Sequence, residues 1–244
     1  GSVQKFFISE SRTLLGGDVT IESSSRLGLA SSSLQTLRAK GATFSERIDT
    51  LVVVQSKKRD VEGKLSNLLV SLRVVDQEYP LYGKLGLQVI GSTTPTKTEV
   101  FIAKDILVRM GVAAGDMLTI GNEQFTIANV IESEPDGVGG NFRLGPLVII
   151  STEGWERTKL GGKQSRVEYT LSVRYPLGLS SVESSEATLA IKNEFTRPLY
   201  RASVASDGPR TLLRVLDSAE RFFFSMIVLA LFLVVVNIRL NLTY

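Results

Sequence analysis

At 244 residues the chain has room for about 1.6 domains of ordinary size and can bury roughly 70% of its unfolded surface, so it needs no disulfide staples to fold. Its 43% apolar and 22% charged residues belong to a globular chain and exclude disorder, collagen and a purely fibrous coiled coil. The absence of Cys and His removes thiolate nucleophiles, Cys-type zinc sites, His-based triads and His-ligated metals, and 28 basic against 25 acidic residues, scattered along the chain, leave no footprint for nucleic acid.

Gly1 and Ser2 read as a cloning remnant, and no cleavable signal peptide precedes the first helix. Residues 3–15 are amphipathic and predict that helix, stopped by Gly16 and Gly17. Residues 18–22 alternate as a strand, a Ser-rich connection spans 23–26, and 31–40 predict a capped helix ending at Gly41. The β-rich runs 43–55 and 65–75 predict an antiparallel hairpin. Its tip, 57–63, holds the densest basic cluster, Lys57, Lys58 and Arg59, offset at once by Asp60 and Glu62 and read as solvated.

A shift to short strands and tight turns comes at residue 99. Residues 100–102 predict a strand, 104–110 a short helix, 111–116 a turn, 117–120 a strand, Gly121 and Asn122 a hairpin turn, and 124–131 and 146–150 two further strands. The long loop 132–141 is rich in glycine, and loops of this length in a compact domain are often functional. Asp136, Gly137, Gly139, Gly140, Asn141 and Phe142 are its candidate partner or substrate contacts. Glu132, Glu134 and Asp136 could pair as acid and base or gather a cation, although their alternation beside Pro135 and Gly137 favours a solvated turn. Trp155, the single tryptophan, is expected to pack in the core. A strand over 166–175, a helix over 181–195 and a strand over 199–204 then echo the first strand and helix and are expected to complete its sheet.

Nucleotide chemistry fails on inspection. Gly91, Lys97 and Thr98 have P-loop spacing, but Thr96 stands where the motif needs Gly, and Pro95 removes a backbone amide from the cradle. Gly161, Gly162 and Lys163 run into Gln164 instead of Ser or Thr, and there is no Gly-x-Ser-x-Gly elbow. The residues themselves offer no catalytic group, no cofactor site and no metal site.

The C-terminus changes character. Residues 207–221 are amphipathic and free of Pro and Gly after Pro209, with Asp207 near an N-cap and Pro209 in the first turn. Residues 222–238 carry no charge and are apolar on every face apart from Ser225 and Asn237, flanked by Arg221 and Arg239. As a helix this run reaches about 26 Å, close to a bilayer core of roughly 30 Å. A transmembrane helix is expected, a central core helix being the alternative, and the chain reads as a piece of a longer membrane protein. Two stalk helices at the two termini would place both chain ends on one membrane face.

Several segments occur in a telling order: Leu14-Leu15-Gly16-Gly17-Asp18-Val19 after an amphipathic helix, Val74-Val75-Asp76-Gln77-Glu78-Tyr79-Pro80-Leu81-Tyr82-Gly83, Met110-Gly111-Val112-Ala113-Ala114-Gly115-Asp116, and Glu134-Pro135-Asp136 with Phe142-Arg143-Leu144-Gly145-Pro146 after it. Together they resemble the extracytoplasmic region of an FtsX/MacB-type ABC transporter permease, above all its YbbP-like branch, over about residues 4–238. The ending after Asn237 is more polar than the glycine-rich continuation usual in the family. The resemblance implies an α+β fold, a mixed α/β porter part interrupted by a β-rich sabre part. The divisions are then an N-terminal stalk helix at 3–17, porter halves at 18–90 and 165–206, a sabre-like insertion at 91–164, a C-terminal stalk helix at 207–221 and the start of a second transmembrane helix at 222–238.

The role the resemblance implies is mechanotransmission. A cytoplasmic ABC ATPase dimer would close on ATP and drive the stalks of two permease copies, at the periplasmic face of a bacterial inner membrane. The work would be export or extraction of lipophilic molecules, beside a periplasmic esterase or lysophospholipase. The expected coupling interface packs Phe6, Phe7, Leu14 and Leu15 against Leu212, Leu213, Val215, Leu216 and Ala219. The rival reading is a membrane-anchored binding or scaffold module without an ATP-driven cycle. A third reading is a membrane-bound hydrolase using Glu132, Glu134 or Asp136.

Overall fold

The computed structural model describes residues 2–27, 31–59, 65–89, 91, 93–134, 144–161, 167–196, 198–207 and 226. Residues 12–205 form one compact body; residues 1–11 and 206–244 belong to another. In the latter, helix α1 (Ser2–Leu15) begins and the single described residue beyond 207, Met226, is helical. The predicted stalk 207–221 and apolar span 222–238 otherwise lie outside the described residues. Among those described, no helix is long and apolar enough to cross a membrane.

The larger body opens with β1 (Val19–Ser23) and α2 (Ser32–Ala39), whose Ser31 cap accepts from the Leu34 amide at 3.2 Å. Strand β2 (Thr43–Arg59) and strand β3 (Leu65–Val75) form the predicted hairpin. They pair out to Arg59 opposite Leu65, so Lys57, Lys58 and Arg59 belong to the strand instead of the expected tip. After β4 (Gly86–Leu87) come β5 (Glu99–Ala103), α3 (Lys104–Met110), β6 (Met117–Ile120), β7 (Glu123–Ser133) and β8 (Leu147–Ser151). Helix α4 (Thr152–Thr158) was not expected; β9 (Val167–Arg174), α5 (Ser181–Glu194) and β10 (Tyr200–Val204) close the body.

All ten strands among the described residues join one mixed sheet in the order β10-β1-β9-β2-β3-β8-β5-β7-β4, with β6 bridging β7 and β2. That bridge closes a six-stranded ring, β2-β3-β8-β5-β7-β6, in which β3–β8 and β5–β7 are the parallel pairs. Strand β2 serves two structures in turn: Thr43 to Thr50 pair with β9, and Val54 to Ser56 pair with β6.

Two cores result from this split. Val54, Val70, Leu72, Val100, Ile102, Leu118, Ile120, Phe125 and Val148 cluster within the ring strands, together with Ile106 of α3 and Trp155 of α4. Val19, Ile21, Leu171, Val173 and Val204 of the other strands meet Leu34 and Leu37 of α2 and Ile191 of α5. Each strand residue here is one of an alternating set, which is what a half-buried sheet face requires. A third cluster places Tyr79 and Leu85 on Val75, Phe101, Leu147 and Ile149, so the segment after β3 is laid against the sheet. The chain is thus a mixed α/β body, the α+β class expected.

Candidate functional site

The body begins and ends on neighbouring strands. Helix α1 stops at Leu15, with Gly16 in the left-handed region (φ 74) and the Gly17 amide returning to the Arg12 carbonyl at 3.1 Å. A Cβ at Gly17 would stand 2.9 Å from the Val19 carbonyl and 3.1 Å from that of Val173, so only glycine lets the chain pass this close to β9. Strand β1 starts two residues later, and Val19 lies opposite Val204, the last residue of β10.

Asp18 holds this junction together. Its amide donates to the Val173 carbonyl (2.8 Å), and its own carbonyl accepts from the Ala205 amide (2.9 Å), the first residue after β10. Its carboxylate accepts from the Tyr82 hydroxyl at 2.7 Å and from the Tyr175 amide at 2.8 Å. The Arg12 Nε lies 2.6 Å from the same carboxylate. That N–H is not aligned as a hydrogen bond, and the contact is best described as an ion pair. The Asp18 side chain is 6% exposed and that of Arg12 41%, so the carboxylate is enclosed while its counter-ion reaches water. One residue therefore ties the last turn of α1, the ends of β9 and β10, and the segment containing Tyr82.

The aromatic partner is tuned accordingly. Burial, and then the hydrogen bond to the Asp18 carboxylate, push the Tyr82 phenol well above its ordinary value of 10.0, so it stays a protonated donor. Tyr175 is also raised by burial. Arg12 sits over the Tyr82 ring, 5.8 Å from its centroid. Arg174 reaches the Leu81 carbonyl at 3.3 Å and Thr43 Oγ1 at 3.2 Å, fastening the same segment to β9 and β2.

The segment from Asp76 to Gly83 is fixed at its other end too. Asp76 accepts from Ser45 Oγ (2.8 Å) and from the amides of Glu46 (2.6 Å) and Glu78 (3.1 Å), while burial outweighs these bonds and raises its carboxyl. Beside it, Arg73 is 3% exposed and donates from Nε to Asp49 (2.9 Å) and from Nη1 to the Tyr79 hydroxyl (3.0 Å). Burial pushes the Asp49 carboxyl up, but Arg47 and Arg73 outweigh it and hold the group below its ordinary value. Arg73 Nη1 also meets Glu134 at 3.4 Å, at the end of β7.

The sequence-predicted residues are distributed unevenly around this junction. Phe6 and Phe7 lie in α1; Leu14 and Leu15 are in its last turn, Leu14 exposed and Leu15 half-buried. Leu212, Leu213, Val215, Leu216 and Ala219, like Asp136, Gly137, Gly139, Gly140, Asn141 and Phe142, lie outside the described residues. Of the three candidate acids, Glu132 lies in β7 and Glu134 is ion-paired to Arg73, while Asp136 is not described. No group of three or more carboxylates able to hold a metal occurs among the described residues. The junction unites two of the resemblance-bearing segments, 14–19 and 76–83. Arg12, Asp18, Tyr82 and Tyr175 were not singled out as site residues in the sequence, since Tyr82 and Tyr175 lie far from Asp18 along the chain.

No protein-family model and no curated protein matches the chain. Solved structures do. The periplasmic region of MacB from Actinobacillus actinomycetemcomitans superposes with a TM-score of 0.53 at 11% identity, over 84% of this chain and 97% of that one. A domain of a protein described as a permease from Porphyromonas gingivalis gives a TM-score of 0.47 at 13% identity, over 78% of this chain and 91% of that one. The extracellular domain of the noncanonical ABC-type transporter YknZ from Gram-positive bacteria gives 0.44 at 12% identity, over 75% and 99%. The first likeness establishes the fold: the chain is built like the periplasmic region of MacB.

Proposed function

We propose that this chain is the extracytoplasmic domain of an ABC transporter permease and transmits force rather than catalysing a reaction. The observation that carries the reading is the junction at Asp18. The strands on which the chain enters and leaves the body are hydrogen-bonded neighbours, and backbone bonds from Asp18 to Val173 and from Ala205 to Asp18 tie β1 to β9 and the end of β10 to β1. A displacement applied to either end of the body would be delivered to the sheet through these bonds. The likeness to MacB's periplasmic region supports the same reading at the level of fold.

In this reading the helices at the two termini are stalks, Phe6, Phe7, Leu14 and Leu15 pack on Leu212, Leu213, Val215, Leu216 and Ala219, and residues 222–238 enter a bacterial inner membrane. The partners are a cytoplasmic ABC ATPase dimer, a second permease copy and a periplasmic esterase or lysophospholipase. The cargo class is lipophilic, as in the YbbP-like branch, and the porter halves are residues 18–90 and 165–206 around a sabre-like insertion at 91–164. The Gly-rich loop with Asp136 and Phe142 is the contact for cargo or partner.

The test is a mild-detergent pull-down of the full-length protein with mass spectrometry and an ATPase assay on the eluate. Recovery of a P-loop ATPase whose turnover depends on this chain is the expected result. Repeated recovery of the protein without an ATPase would favour the scaffold reading and leave the likeness as one of fold.

A further inference from the structure

Away from the junction, a cleft of about 330 Å³ opens where α4 meets β2 and β9, within the range of small-ligand sites. Ile48 and Tyr169, opposite each other on β2 and β9, form its apolar wall with Trp155 of α4. Ile48 is 6% and Trp155 7% exposed, so these are core side chains showing one edge to the cleft.

Its polar groups are mostly donors, and several are uncommitted. The Trp155 indole N–H has no acceptor among the described residues and is not an enclosed orphan donor, so it is open to the cleft. The Lys159 ammonium on the rim has no carboxylate partner among them either. Arg26 spends Nε and Nη2 on Glu46 (3.1 and 2.8 Å), leaving Nη1 outside that pair. The Thr152 hydroxyl is already committed to the Val75 carbonyl (3.3 Å), and the lone acidic lining group is Glu156. Lys159 is also the one non-glycine residue described with positive φ (55), a conformation that costs about 1 kcal/mol and places its side chain beside the indole's cleft.

We propose that this cleft binds a small monocarboxylate with an aryl or short alkyl body. The carboxylate would accept from the Trp155 N–H and pair with Lys159, and the body would lie on Ile48 and Tyr169. Glu156 makes the site unfavourable to a second negative charge. The inference stands independently of the transporter reading, because it concerns side chains of the body alone.

The single tryptophan makes the test direct. The full chain, held in lipid nanodiscs, is titrated with 3-phenylpropionate while Trp155 emission is followed, with 3-phenylpropionamide as the neutral control. A saturable response is expected, at least about tenfold weaker for the amide. Lys159→Gly removes the charge while relieving the positive φ, and should weaken carboxylate binding about 5–10-fold without loss of folding. Gly161→Ala adds a methyl 3.5 Å from the indole nitrogen, an ordinary contact, and should weaken binding at unchanged melting temperature. No saturable response up to about 10 mM, equal affinity for acid and amide, or unchanged affinity in Lys159→Gly would each overturn the proposal.

Discussion

Replacing Asp18 by Asn is the sharpest perturbation of the junction, because it keeps the shape of the side chain and removes its charge. One carboxylate oxygen becomes an NH₂, a donor set among the Tyr82 hydroxyl, the Tyr175 amide and the Arg12 guanidinium, all of them donors. Hydrogen bonds to a buried charged group are each worth about 1.5–3 kcal/mol, and one acceptor oxygen survives in Asn. The Arg12 contribution must be discounted, since that side chain is 41% exposed and water screens its pair. The Tyr82 and Tyr175 bonds end on one oxygen, Oδ2, which the Asn carbonyl replaces, so each keeps its neutral worth and loses about 1–1.5 kcal/mol. With the Arg12 pair also gone, the balance is a loss of about 3 kcal/mol. For a body of this size that lowers the melting temperature by about 6–12 °C. Thermal unfolding followed through Trp155 emission reads the larger body alone, because that tryptophan lies within residues 12–205. Tyr82→Phe should cost about 1 kcal/mol by itself, and the double variant should lose less than the sum, since both remove the same bond. An Asp18→Asn protein melting within about 1 °C of the parent, or strict additivity with Tyr82→Phe, would refute the assignment of Asp18 as the hub.

Other expectations can be checked in the same assay. At alkaline pH the folded chain keeps phenolic protons on Tyr82 and Tyr175 that the unfolded chain releases, so stability should fall as pH rises above 10.0, with a shallower fall in Tyr82→Phe. In acid the sign reverses for Asp49: its lowered pKa stabilises the fold above its ordinary 3.8, and this contribution should vanish as pH drops below that value and be missing in Asp49→Asn. Gly17→Ala should cost more than about 2 kcal/mol, because its methyl would meet three backbone atoms of Val19 and Val173 at 2.9–3.2 Å. Leu216→Pro should abolish coupling to a partner ATPase while leaving the Trp155 melting transition in place; intact coupling would count against the stalk interface.

Most of the local structure was legible because its signals are local. The α3 helix ends at Gly111 with φ 63, and the turn into β6 is closed by the Asp116 carboxylate on the Ala113 amide (2.7 Å), a glycine and an aspartate readable in sequence. The N-cap Ser31 announced α2 in the same way, and α5 proves to carry a like cap in Ser180. Helix α4 escaped because Gly154 and two threonines depress helix propensity, although Ser151 caps it through the Gly154 amide at 3.1 Å. Ring closure could not be read, since neither the parallel pairing of β3 with β8 nor the contact of β6 with β2 involves a tight turn. The junction was hidden for a related reason. Asp18 looks like the first residue of a strand, and only the folded chain brings Tyr82 and Tyr175 to it.

If the domain transmits force, ATP hydrolysis elsewhere must move this body. Because the chain has no cysteine, a single Cys at the exposed strand position Leu51 carries a unique spin label. Distances between labels on two copies in the full transporter, reconstituted with its ATPase, should change between the nucleotide-free and ATP-trapped states. Identical distance distributions in the two states, in a preparation that hydrolyses ATP, would contradict force transmission through this domain.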